Sequence, residues 1–275
     1  GKDEKVLQAA AKAWQIDAKK DLWKLPSMYV GQYAEQDAES TYKLWQRLQT
    51  ELYAQELTDI FSLETKLFPC LVDMRFKGVR VDIEKAHNIK AKLIAREKTI
   101  LQNIKKLTNV DVEIWAAASI AKVFDYLKLP YDRTAKTNKP SFTKNFLANH
   151  PNEIAKDIAS AREINKAHTT FIETILKHSH KGRIHADINQ IRSDDGGTVT
   201  GRFSMSNPNL QQIPARHKDL GPLIRSIFIP ESDCKWGTFD YSQQEPRILV
   251  HYAKLQELPG VNEIVDAYRA GDADF

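Results

Sequence analysis

The stretch FDYSQQEPRILVHYA, residues 239–253, carries Asp240 at the end of an apolar run and Glu245 at the start of what reads as a helix. An acid leaving a strand faces the mouth of a sheet, where carboxylates that hold two divalent cations are a recurrent device for phosphoryl transfer. Mg²⁺ suits one or two carboxylates supplemented by substrate phosphates. An Asp in this place can equally cap the following helix, and one carboxylate does not decide between the two. Glu245 has its own structural reading: Ser242-x-x-Glu245 before an apolar run has the spacing of a capping box. Pro246 fits the first turn, where backbone N–H groups lack helical partners.

A second chemistry-bearing stretch is TVTGRFSMSNPNLQQIP, residues 198–214. Arg202, Asn209, Gln211 and Gln212 are the side-chain types that read base edges and sugar-phosphate oxygens. They are concentrated in a loop that contains neither Lys nor Glu, which favours nucleic-acid contact over an ordinary polar surface. Tyr33 and Asp37 lie four apart, so one helix face carries a phenol and a carboxylate able to position a metal-bound water, or simply a half-exposed face. Two basic series complete the candidates. Lys85, Lys90, Lys92, Arg96, Lys98, Lys105 and Lys106 stand against only Glu84 and Glu97 over residues 83–107. Arg162, Lys166, Lys177, Lys181 and Arg183 form the second. Such stripes track phosphate backbones by counterion release or serve as solvated faces.

The elements that must position these groups change character along the chain. Residues 34–57 place Ala38, Tyr42, Trp45, Leu48 and Leu52 at three- and four-residue spacings, which predicts an amphipathic helix. Further helices are predicted over 59–77, closing at Gly78, and over 83–107, capped by Asp82. Others are predicted over about 118–128 and over 151–178 with Pro151 at the first helical position. Residues 129–141 read as a surface loop. Beyond residue 182 the pattern becomes mixed. Ile184, Ala186 and Ile188 alternate as in a strand, and residues 194–214 are loop. SIFIP (226–230) and KWGTFDY (235–241) read as strands paired around a polar turn. The following helix sets Ile248, Leu249, Tyr252 and Leu255 on one side. Helices first and a mixed part afterwards predict an α+β fold.

With 275 residues and 42% apolar content the chain can bury one large core or two modest ones. No apolar run approaches the roughly 20 residues of a membrane span, and the charged start GKDEKV is not a signal peptide. Cys70 and Cys234 are far apart without metal-ligand spacing, which predicts two structural thiols in a reducing compartment. The net charge of +4 is mild. A first residue other than Met and an ending at GDADF suggest an internal piece of a longer protein.

Taken in order, these motifs resemble a known family. TGRFSMSNPNLQQIP followed by FDYSQQEPRILVHYA resembles two consecutive motifs of family A DNA polymerases, the DNA polymerase I-like enzymes, and Arg225 in the intervening LIRSIFIP also fits. YAEQDAEST (33–41) resembles the last motif of the family's proofreading 3′–5′ exonuclease domain. LETKLFPCLVDMRFKGVRVD (63–82) resembles the first segment of the polymerase domain, and REINKAHTTFIETI (162–175) its thumb. The Gln-Gln-Glu-Pro variant suggests a bacteriophage enzyme.

The resemblance implies template-dependent nucleotidyl transfer from dNTPs to a primer 3′-hydroxyl with two Mg²⁺ ions. Asp240 would be a catalytic metal ligand, aided by the Tyr241 carbonyl, and Glu245 would exclude the ribose 2′-hydroxyl. Arg202, Asn209, Gln211, Gln212, Arg225, Arg247, His185 and Gln190 would contact primer-template DNA, together with Arg162 and Lys166 of the thumb. Tyr33 and Asp37 would serve proofreading, Asp37 as a metal ligand. The implied division is an exonuclease tail at 1–57, thumb and linking helices at 58–182, a partial antiparallel palm at 183–247 and the first fingers helices at 248–275.

Gln244 and Pro246 replace the family's usual apolar residues, which leaves the helix start open. The fingers motif for the incoming nucleotide and the second carboxylate motif are not found, so the chain is expected to be a fragment inactive alone. Rival readings are a non-catalytic DNA-binding module and a nuclease centred on Tyr33 and Asp37. The expected setting is the cytoplasm of a bacterial or phage-infected cell, with no membrane partner and room for a processivity factor.

Overall fold

The computed structural model describes residues 5–192, 196–215 and 217–271. Its helices are α1 (Lys5–Ala13), α2 (Ser27–Ala54), α3 (Thr58–Lys77), α4 (Ile83–Thr108), α5 (Ala117–Tyr126), α6 (Lys144–Ala148), α7 (Glu153–Lys166), α8 (Glu173–Lys177), α9 (Leu220–Arg225), α10 (Gln244–Leu255) and α11 (Val261–Ala270). Its strands are short: β1 (Val79–Arg80), β2 (Asp132–Arg133), β3 (Pro140–Ser141), β4 (Ser179–His180), β5 (Arg183–Ile184), β6 (Asp187–Asn189) and β7 (Ser204–Ser206). Predominantly helical content with small antiparallel ladders is the α+β class expected.

The chain divides into two compact units, one built from residues 1–78 and 169–214, the other from 79–168 and 215–275. In the first unit α1 packs on α2 around Leu7, Ala10, Ala11 and Leu25. Farther along α2 the predicted stripe is exposed at Tyr42 and Leu48, while the Trp45 ring lies 5.5 Å from that of Phe61 on α3. α3 stops at Gly78, whose φ of 61° and ψ of −178° form a backbone state open essentially to glycine. After α8, β4 and β5 form a hairpin with Ser179 opposite Ile184. β6 and β7 pair antiparallel with Asp187 opposite Ser206, Ile188 opposite Met205 and Asn189 opposite Ser204. Ile184 and Ala186 are buried, as the alternation predicts.

The second unit is organised by α4 against α7. Asp82 caps α4 as expected, its carboxylate accepting from the Lys85 N–H at 2.8 Å. Ala86, Ile89, Leu93 and Ile104 turn inward at helical spacing, while Lys85, Lys92, Arg96, Lys98, Lys105 and Lys106 lie on the exposed side. The core gathers Ile104, Ile120, Val123, Phe124, Leu147 and Ile158, and Phe124 is ringed by Tyr131, Phe142 and Phe146 with centroids 4.8–6.1 Å away.

Several expectations are corrected. The helix predicted over 151–178 is three pieces: α7, a π-helical stretch Ala167–Ile172, and α8. Asn152 caps α7 through its side-chain oxygen, 2.9 Å from the Ile154 N–H, so Pro151 precedes the cap instead of opening the helix. Residues 129–141 contain the β2–β3 hairpin, whose turn is closed by Thr134 Oγ1 and Thr137 Oγ1 at 2.7 Å and by Asn138 at a φ of 50°.

SIFIP does not pair with KWGTFDY. Phe228 bridges Val81, with the Asp82 N–H donating to Ile227 O and the Ile229 N–H to Arg80 O, and residues 235–241 form no ladder. A strand exists only where a neighbour supplies its hydrogen bonds, and here residues 80–82 outcompete the local hairpin. Cys70 and Cys234 are both exposed and unpaired, which removes the expected structural role. The start of the predicted loop at Asp194 and Asp195 lies outside the described residues. Among the described residues, no helix is long and apolar enough to cross a membrane.

Candidate nucleic-acid interface

The β6–β7 hairpin carries the polar loop singled out in the sequence. Arg202 is exposed, and its carbonyl accepts from the Thr198 hydroxyl at 2.7 Å. After β7, Asn207 takes a φ of 53° and Pro208 is buried. Asn209 then caps the single turn Leu210–Gln212, its Oδ1 accepting from the Gln211 N–H at 3.0 Å. The Gln211 amide donates to Phe203 O at 3.0 Å, which draws the turn back against the hairpin, and Gln212 is exposed. Asn209, Gln211 and Gln212 thus share one turn, and the Gln211–Phe203 bond ties that turn to the residue next to Arg202.

His185 and Gln190 flank β6 and fasten it to α3. His185 Nδ1 lies 2.8 Å from Arg75 O, and the Gln190 amide donates to Glu64 O at 3.1 Å and to its Oε2 at 2.5 Å. These bonds give both residues an anchoring function in the first unit. Sequence reasoning missed the residues that share it: Glu64, Arg75, Asp187 and Asn207. Arg75 Nη2 lies 2.7 Å from Asp187 Oδ1, and the Asn207 amide donates to Asp187 Oδ2 at 2.9 Å. The alternation of Ile184, Ala186 and Ile188 already sets Asp187 on the opposite face. Its partner on α3 has no sequence signal.

Tyr33 and Asp37 sit on α2, both half-buried. Tyr33 packs against the cluster around Leu7, and the Asp37 carbonyl accepts from the Thr41 hydroxyl at 2.8 Å.

In the second unit Arg162 is half-buried. Its Nε donates to Ile114 O at 2.6 Å and its Nη1 to Phe142 O at 2.7 Å, and its guanidinium lies 5.4 Å from the Trp115 ring. Burial lowers its pKa from the usual value, and these internal bonds hold the α7 side chain against the core. These bonds give Arg162 an internal role. Lys166, one turn on, is exposed. Arg225 ends α9 and is exposed. Part of the α4 basic series is neutralised locally, Arg96 by Asp219 and Lys105 by Asp111 at 2.6 Å.

Asp240 and Tyr241 lie in the exposed, irregular segment before α10, with Phe239 97% exposed. The predicted capping box does not form. Gln243 is the residue before α10, at a φ of 51° and without a side-chain cap, and Glu245 falls in the first turn, where a negative charge is favoured by the helix dipole. Arg247 closes this turn instead. Its Nε donates to Ser242 O at 3.0 Å and its guanidinium stacks 4.4 Å from the Tyr268 ring, whose hydroxyl donates to Gln243 Oε1 at 3.0 Å. Tyr268 and Gln243 were not singled out in the sequence, since α11 offered no motif. Among the described residues no three His, Cys, Asp or Glu side chains converge as a metal cluster. Asp240 supplies a single accessible carboxylate.

A family model described as "DNA polymerase family A" matches residues 83–271. A DNA-directed DNA polymerase of Pseudomonas phage M6 is 36% identical, covering 99% of this chain and 42% of its own length. DNA polymerase I of Geobacillus stearothermophilus is 33% identical over 85% of this chain and 26% of its own. The polymerase domain of Pol1 from M. smegmatis, solved with DNA primer-template and dNTP, aligns with 70% of this chain at a TM-score of 0.56 and 23% identity, covering 34% of that chain. The chain thus spans about two fifths or less of the proteins it matches. With the family matched over well over half of its residues, the chain belongs to DNA polymerase family A.

Proposed function

We propose that this chain is the part of a template-dependent DNA polymerase that grips the primer-template and supplies one catalytic carboxylate. The observation that carries the reading is the turn of Asn209, Gln211 and Gln212 drawn back toward Arg202: side chains of the kinds that read base edges and sugars, tied by side-chain-to-main-chain bonds to a hairpin anchored to α3. Rigid donors cost little to order on binding, which suits them to a duplex of fixed shape.

Asp240, with the Tyr241 carbonyl, would hold a divalent cation, Mg²⁺ being the hard oxygen-seeking ion that shares its shell between few carboxylates and substrate phosphates. An exposed single carboxylate fits that mode, in which most ligands come from water and substrate, and not a protein cage. The cation supplies charge neutralisation at phosphate oxygens. The chain's own share is to present the carboxylate and Glu245 beside the start of α10, a turn locked by Arg247 and Tyr268. Glu245 is assigned to exclusion of the ribose 2′-hydroxyl.

The proposed division is an exonuclease tail at 1–57, thumb and linking helices at 58–182, palm at 183–247 and fingers from 248. Tyr33 and Asp37 belong to proofreading in this scheme, and the setting is the cytoplasm of a bacterial or phage-infected cell. Primer extension by the full-length protein carrying this sequence tests the reading. Extension should require template, dNTPs and a divalent cation, and Asp240→Asn should abolish it while primer-template binding persists. Undiminished extension by Asp240→Asn would leave only a DNA-binding module.

A further inference from the structure

We infer that Asp187 is a positioning residue for the primer-template, setting the donor turn Asn209–Gln212 relative to α3; the inference rests on the polymerase reading above. Three observations lead to it. The β6–β7 hairpin has three residues per strand, and an isolated two-stranded hairpin of that size is marginal in water. Its placement must come from side-chain bonds to α3. Gln190 and His185 make such bonds at either end of β6. Asp187 alone among these three also reaches past β7, its Oδ1 paired with Arg75 on α3 and its Oδ2 accepting from Asn207.

One carboxylate therefore joins a helix, a strand and the residue two before Asn209. α3 and β6 also touch, but beside that contact a cleft of about 610 Å³ opens, with Phe68, Leu71, Val72 and Ile188 on its apolar walls and the Arg75–Asp187–Asn207 chain along it. At the side of the hairpin that leads to Asn209, the polar strut spans this cleft and sets the distance. The Arg75 charge also neutralises Asp187, so that a carboxylate can stand beside a surface meant for phosphates. Asp187 itself is not a DNA contact in this account.

The test is anisotropy of a labelled recessed primer-template and of a single strand of equal length, titrated with this chain. The wild type should prefer the primer-template. Asp187→Ala should weaken primer-template binding about tenfold, the loss expected of a charge-assisted hydrogen bond, and leave single-strand binding unchanged. Asn207→Gly, which removes the side chain at a position of φ 53° without straining it, should do the same and add nothing on top of Asp187→Ala. Asp187→Asn, whose amide can still accept from Arg75 and pair with the Asn207 amide, should lose less than Asp187→Ala; a purely structural role predicts no such selective rescue. If Asp187→Ala fails to fold, Asn207→Gly, which spares the Arg75 ion pair and suits that φ, carries the test. Equal primer-template affinity of wild type, Asp187→Ala and Asn207→Gly overturns the inference alone, and so does additivity of the two losses. A wild type without preference for primer-template overturns the polymerase reading and this inference with it.

Discussion

His217 Nε2 lies 3.1 Å from Glu163 Oε2, and the same imidazole accepts through Nδ1 from the backbone N–H groups of Asp219 and Leu220 at 3.2 and 2.9 Å. Two donors at Nδ1 fix the proton on Nε2, so the ring donates to the carboxylate and ties α7 to the start of α9. Burial raises the Glu163 pKa, but hydrogen bonds from Lys144 and His217, with the charge of Lys144, outweigh it and leave the carboxyl below its ordinary value. A folded pKa below the unfolded one gives stability that is present above the unfolded value and lost as pH falls through the folded one. Glu163→Gln should therefore lower stability at neutral pH and flatten its decline between about pH 5 and pH 2. Denaturant melts of both proteins across that range check it, and parallel curves would refute the pairing.

Gly78→Ala should destabilise the protein by about 1–3 kcal/mol, because its backbone state admits essentially glycine alone. An added Cβ would also stand 2.7 Å from both His185 Nδ1 and Ile184 O. The denaturation midpoint reads the effect, and a change below about 0.5 kcal/mol, the range of ordinary surface substitutions, would contradict the geometry.

Arg162 and Lys166 should separate cleanly. Arg162→Ala leaves the carbonyls of Ile114 and Phe142 without their donor and should cost about 1–3 kcal/mol of stability. Lys166→Ala should leave stability nearly unchanged and reduce the salt slope of DNA binding by about 1 if that lysine meets a phosphate. Thermal melts and salt titrations decide, and the reverse pattern would exchange the two roles.

Removal of divalent cations with a chelator should stop primer extension by the full-length protein, and this chain by itself should stay folded in the chelator, since among the described residues no cluster of ligands holds a metal. Asp240→Asn should reduce extension by at least about a hundredfold, consistent with several kcal/mol of electrostatic stabilisation lost. Circular dichroism alongside the rate separates catalysis from folding.

Legibility differed between local and distant features. The α4 helix, its Asp82 cap and the stop at Gly78 were read correctly because each depends on a few adjacent residues. The donor set of Arg202, Asn209, Gln211 and Gln212 was visible as composition, but its rigidity was not, since it comes from Gln211 reaching Phe203 O. The internal bonds of Arg162 were hidden for the same reason: a basic residue on a helix looks alike whether or not it reaches the carbonyls of Ile114 and Phe142. The capping box at Ser242 and Glu245 failed because Arg247 and Tyr268 close that turn from elsewhere.

The sequence by itself determined the family and the order of its motifs, because motif identity is carried by residue types and spacing. It also determined the long helices, because helical hydrogen bonds run between residues four apart, while the short α1, α6, α9 and α11 carried too few periodic residues to be read. Only the tertiary structure decided which segments became strands and which polar residues became anchors. SIFIP bridged to Val81 instead of KWGTFDY, and Asp187 joined Arg75 to Asn207. Strand pairing and side-chain bonds of that kind link groups far apart along the chain, and their partners are set by where the fold brings them, not by any local pattern.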